Sequence, residues 1–176
     1  MRLFKLLIIS IIILFLLVTG MSLLIPFHVR ISRATNVMAT PTEVWQQVDD
    51  MHTWKNWNPF FTGVSPDKIS YSDTADGSPH AMSVSGTSIQ WKEIKSDEHI
   101  AIMQKPGYRS ILNGWKCISH AGSDSTTVQW YMDFHLRWYP WEKFRSLLFE
   151  QSYGPRMEQG LGNIKKMVEA DRTSFN

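Results

Sequence analysis

Residues 125–138 read STTVQWYMDFHLRW, and their alternation decides the fold. Val128, Trp130, Met132, Phe134, Leu136 and Trp138 alternate with Gln129, Tyr131, Asp133, His135 and Arg137, a period of two held over eleven residues. Successive side chains of a strand point to opposite faces, so this pattern predicts a strand with one buried side. Trp130, Met132 and Phe134 fall on the apolar side, and Asp133 and His135 on the other.

Working toward the N-terminus, four more segments read as extended: 109–120, 99–105, 88–95 and 80–85. In 109–120 the buried parity stays open, because Leu112 and Ile118 compete with Ile111, Trp115 and Cys117. Turn-formers fill 65–67 and 73–79, with Ile69 and Tyr71 on a short strand between them. Earlier still, Thr40-Pro41-Thr42-Glu43 has the form of a capping box with Pro at the first helical position, followed by Val44, Val48 and Met51 as a helical stripe. Before it, Phe27, Val29, Ile31 and Val37 share one parity, as on a first strand.

Toward the C-terminus, Pro140 opens a helical stretch, WEKFRSLLFE, that the sequence predicts to break at Gly154-Pro155 and restart with Pro155 at its first position. In the restarted helix Met157, Leu161, Ile164 and Val168 form one apolar stripe. Strands run together and helices stand apart, which makes the fold class α+β.

The chain has 176 residues, enough for one domain and an appendage. Residues 6–25, LLIISIIILFLLVTGMSLLI, carry no charge across twenty positions. At about 1.5 Å of rise per residue they span about 30 Å, the hydrocarbon thickness of a bilayer. The run continues past Val18-Thr19-Gly20, where a cleaved leader would end, so an anchor is the preferred reading and a leader the competing one. The division is then a tail at 1–5, a transmembrane anchor at 6–25 and a domain over 27–176. Basic residues flank the span on both sides (Arg2 and Lys5, Arg30 and Arg33), so the charge rule decides little. The short tail favours the domain on the outer face of a cell membrane.

Chemistry is sparse. The net charge is +2, with Lys and Arg scattered, which argues against nucleic acid as a partner. Six His and one Cys show no metal-ligand spacing, no phosphate loop and no nucleophile elbow. Gly160-Leu161-Gly162 lacks the preceding strand of a dinucleotide fingerprint and reads as close helix-to-sheet packing. No catalytic residue, metal or cofactor is indicated.

Three stretches carry a resemblance: TPTEVWQQVDDMHTWKNWNP (40–59), VQWYMDFHLRWYPW (128–141) and YGPRMEQGLGNIKKMVE (153–169). They resemble the START-like helix-grip superfamily, also called SRPBCC or polyketide cyclase/dehydrase and lipid-transport proteins, and in particular its membrane-anchored bacterial members. The resemblance implies a curved antiparallel sheet around a long C-terminal helix, with a hydrophobic cavity between them. It implies a ligand-binding role for some of Trp54, Trp57, Phe60, Trp91, Trp115, Trp130, Met132 and Phe134. Core packing is the plainer role for each aromatic, since one Trp buries about 150 to 250 Å². The expected function is a membrane-tethered module that binds a lipid-like or other small hydrophobic molecule. A cavity enzyme of the cyclase, dehydratase or hydrolase type and an interaction domain with a collapsed cavity are the alternatives.

Overall fold

The computed structural model describes residues 2–73, 79–120, 122 and 125–174; residues 74–78, within the second run of turn-formers, lie outside them. Helix α1 (Arg2–Ser22) precedes the domain. Strand β1 (His28–Val37), α2 (Pro41–Asp49), α3 (Trp54–Trp57) and a 3-10 turn at Pro59–Phe61 follow. Then come β2 (Ile69–Asp73), β3 (Pro79–Val84), β4 (Thr87–Ile94), β5 (Glu98–Gln104), β6 (Ile111–Ser119) and β7 (Thr126–His135). Helices α4 (Pro140–Ser146) and α5 (Phe149–Ser174) end the chain. The seven strands form one antiparallel sheet in the order β1-β7-β6-β5-β4-β3-β2, and α5 lies across it, closest to β1.

The capping box is present as read: the Thr40 hydroxyl accepts from the Glu43 amide, and the Glu43 carboxylate accepts from the Thr40 amide at 2.6 Å. Val44, Val48 and Met51 are buried. In β6 the odd parity faces inward, with Asn113, Trp115 and Cys117 buried and Ile118 exposed. Gly114 has a separate reason to be glycine. A Cβ there would stand 2.2 Å from Cζ of Tyr131, whose ring lies across it on the outer face of the sheet.

Two expectations need correction. The strand alternation ends at His135 rather than Trp138. The neighbouring strand β1 begins at His28, paired with His135, and beyond it only Leu136 N–H bonding Phe27 O continues the ladder. Leu136 is buried and Trp138 exposed. Nor does the helical stretch break at Gly154-Pro155; it breaks earlier, at Leu147-Leu148 between α4 and α5, and α5 runs through Gly154 and Pro155. Proline removes one helical hydrogen bond, and here Arg33 bridges the weak point. Its guanidinium joins Glu150 before the pair and Glu158 after it, the latter at 2.6 Å. Gly154 makes room for this, because a Cβ would lie 2.6 Å from Arg33 Nη2. An inward-facing arginine on β1 thus ties the sheet to both halves of α5.

Candidate functional site

The interior has two parts. At one end, α3 drives Trp54 and Trp57 against Trp91 of β4, Trp115 of β6 and Trp130 of β7, and all five are buried. Ring centroids lie 5.0 Å apart for Trp54 and Trp115 and 5.7 Å apart for Trp57 and Trp130. Trp115 and Trp130, directly opposite in the register, are stacked at 5.7 Å. Most indole N–H groups are satisfied: Trp54 donates to Val48 O at 2.7 Å, Trp57 to Gln47 O at 3.1 Å and Trp130 to Asn113 Oδ1 at 2.5 Å. The Trp115 N–H is buried without a hydrogen-bond partner among the described residues. Buried and tightly packed, this end is solid.

At the other end the sheet and the first turns of α5 stand apart around a cavity of about 1220 Å³. Its floor is apolar: Ile89, Met103, Ile111, Met132 and Phe134 come from β4 to β7, Phe60 and Phe61 from the 3-10 turn, and Phe149 and Tyr153 from α5. Asn58 forms that turn by accepting from the Phe60 amide at 3.1 Å, which holds Phe60 edge-on to Trp130 at the boundary between the two parts. Small-molecule sites combine such an apolar lining with a few polar groups that set orientation. Here the polar groups include Lys105, Arg109, Arg137, Arg145 and Arg156, against one carboxylate, Glu142, and one imidazole, His135. The Arg156 guanidinium lies 5.5 Å from the Phe60 ring centroid and that of Arg137 lies 5.9 Å from Tyr139, so the cations flank aromatic walls.

The eight residues singled out from the sequence therefore divide. Phe60, Met132 and Phe134 line the cavity. Trp54, Trp57, Trp91, Trp115 and Trp130 pack in the aromatic end, where the indoles fill the space between α3 and the sheet. The stretch HTWKNWNPFF thus serves both parts: its tryptophans close the core and its phenylalanines face the cavity. Sequence reasoning missed the basic residues. They come from the β5–β6 loop, the segment after β7, α4 and α5, so no run or spacing announces them.

Outside the cavity the titratable groups serve structure. On the outer face, Arg30 forms a two-pronged pair with Asp133 at 2.5 and 2.6 Å and lies over the Tyr131 ring at 4.4 Å. Asp133 is buried by these neighbours, not free in solvent as the alternation alone suggests. Burial pushes its carboxyl up, but Arg30 and His28 outweigh that and hold it below the usual carboxylate range. Burial, followed by the bond to Glu98, pushes the Tyr131 phenol up to about 12. Burial likewise pushes the Cys117 thiol up to about 12. His99 stacks on Trp45 with centroids 3.8 Å apart and meets Asp49 at 2.5 Å, joining β5 to α2 away from the cavity. No group of three or more metal-ligating side chains occurs among the described residues.

Residues 28–169 match the family model described as polyketide cyclase / dehydrase and lipid transport. The chain belongs to this family. Among curated proteins none matches the sequence. Solved structures of similar fold include a START superfamily protein from Mycobacterium smegmatis, at 16% identity and TM-score 0.56, covering 80% of this chain and 97% of that one. A norcoclaurine synthase point mutant from Thalictrum is similar at 13% identity and TM-score 0.57, covering 82% and 96%. The di-domain aromatase/cyclase StfQ of the steffimycin biosynthetic pathway is similar at 13% and 0.57, covering 84% of this chain and 52% of that one. At such identities the likeness speaks for the START-like fold alone. The polyketide cyclase / lipid transport family membership and the cavity together make this chain a ligand-binding module. Helix α1 is long and apolar enough to cross a membrane, a property shared with signal sequences.

Proposed function

We propose that this chain is a membrane-tethered binding module whose ligand is an amphipathic, lipid-like molecule. Its apolar part would rest on Met132, Phe134 and Ile111, and an anionic head would meet the basic groups. The observation that carries this is the pairing of an apolar floor with five cations around about 1220 Å³ of space. Burial of hydrocarbon supplies affinity at about 25 cal/mol per Å². Fixed guanidinium groups supply orientation, since they suit carboxylate and phosphate geometry.

The test is displacement of a fluorescent fatty acid from the full chain in detergent. A bulky replacement on the floor, Ile111→Trp, should weaken uptake by pushing the acyl chain off Met132 and Phe134, and Arg145→Gln should weaken the fatty acid more than the matching fatty alcohol. Folded protein that takes up neither probe would overturn the proposal.

A further inference from the structure

Helix α4 is built inside out. Its buried positions are Pro140, Lys143 and Ser146, whereas Trp141 is 65% exposed, with Trp138 at 58% just before the helix and Leu147 at 62% and Leu148 at 57% just after it. A helix on the surface of a water-soluble domain buries its apolar stripe and exposes its charges. Here a lysine is wholly buried and the apolar side chains are exposed.

The buried face explains where this helix sits. Lys143 Nζ donates to the carbonyl oxygen of Ile25, just past the end of α1, and lies 3.3 Å from the Phe27 ring centroid. A cation there also meets the negative end of the α1 dipole. Helix α4 packs against α1, and Ser22 in the last turn of α1 is fully buried. So α4 is level with the point where the apolar run of α1 ends. For a helix in a bilayer that level is the boundary between hydrocarbon and headgroups, where Trp is enriched.

We infer that α4 lies in the interface of the leaflet at the C-terminal end of α1, with Trp138, Trp141, Leu147 and Leu148 inserted among the lipids. Arg137 and Arg145 then stand at the depth of anionic headgroups, which adds electrostatic attraction to the apolar burial. Tyr139, Trp141, Arg145 and Leu148 also line the cavity. The cavity therefore opens onto the same lipid surface, and its ligand class is a lipid of that leaflet, taken up without crossing water. The inference rests on the reading of α1 as an anchor.

The chain carries its own probe. Of eight tryptophans, Trp138 and Trp141 are exposed, the other six are buried in the domain, and α1 has none. The full chain is reconstituted into nanodiscs of phosphatidylcholine and phosphatidylglycerol whose acyl chains are brominated near the headgroup. Tryptophan emission should fall relative to unbrominated discs, and the double variant Trp138→Phe/Trp141→Phe should lose most of that quenching. Protein retained on discs but equally bright in both lipids, as when a second copy covers α4, overturns this inference alone. Equal quenching of the double variant overturns it too. Failure to be retained on discs overturns the tether and this inference with it.

Discussion

Two glycines in α5, two residues apart, should respond unequally to the same substitution. A Cβ at Gly160 would stand 2.6 Å from Trp130 Cζ3 and 3.1 Å from Pro59 Cδ, whereas one at Gly162 would meet nothing within 4 Å. Trp130 cannot yield easily: it is fully buried, bonded to Asn113, stacked on Trp115 and edge-on to Trp57 and Phe60. Overpacking at such a site costs about 1–3 kcal/mol. Replacing glycine by alanine inside a helix gains up to about 1 kcal/mol at either position. Gly160→Ala should therefore be destabilised by about 0–2 kcal/mol, and Gly162→Ala stabilised by up to about 1 kcal/mol. The helix contribution is common to both, so their difference isolates the contact with Trp130 at about 1–3 kcal/mol. Thermal unfolding of the full chain in detergent, followed by near-ultraviolet circular dichroism of the tryptophan cluster, reads this difference at about 2–4 °C per kcal/mol. Gly160→Ala melting at or above Gly162→Ala would refute close apposition of α5 to the sheet.

Two further outcomes follow from the outer face and the thiol. Asp133 has a carboxyl held below its ordinary value, so its contribution is complete above the unfolded pKa of about 4 and is lost as pH falls through the lower folded value. Urea midpoints should drop more steeply in acid for the wild type than for Asp133→Asn; parallel curves would mean that the Arg30 pair adds nothing. Cys117, buried and shifted to about 12, should react with a thiol reagent at neutral pH only after denaturation. Prompt labelling of the native chain would place it outside the core.

Much of the fold was legible because its signals are local. The capping box at Thr40, the alternation through Val128 to Phe134 and the stripe from Met157 to Val168 each follow from one element's own periodicity. The failures have tertiary causes. Pro155 reads as a helix start, whereas in the fold Arg33, far away in sequence, pairs with Glu150 and Glu158 on either side of it. Trp138 keeps the alternation, but no neighbouring strand extends to meet it. WEKFRSLLFE reads as helix without revealing which face is buried, and here the usual rule runs backwards. Of the site, Phe60, Met132 and Phe134 were named, and the arginines that meet at the cavity from separate elements could not be. The GLG stretch was half right: Gly160 packs closely and Gly162 does not.

The proposal of a lipid-like guest in the helix-grip cavity is tested most directly by photolabelling. A lipid with a diazirine in its acyl chain is incorporated into membranes holding the full chain, irradiated, and the adducts mapped by peptide mass spectrometry. Adducts on Met132, Phe134 and Met103, the apolar floor, are the expected result. Labelling confined to α1 and α4, with the floor unmodified, would contradict it.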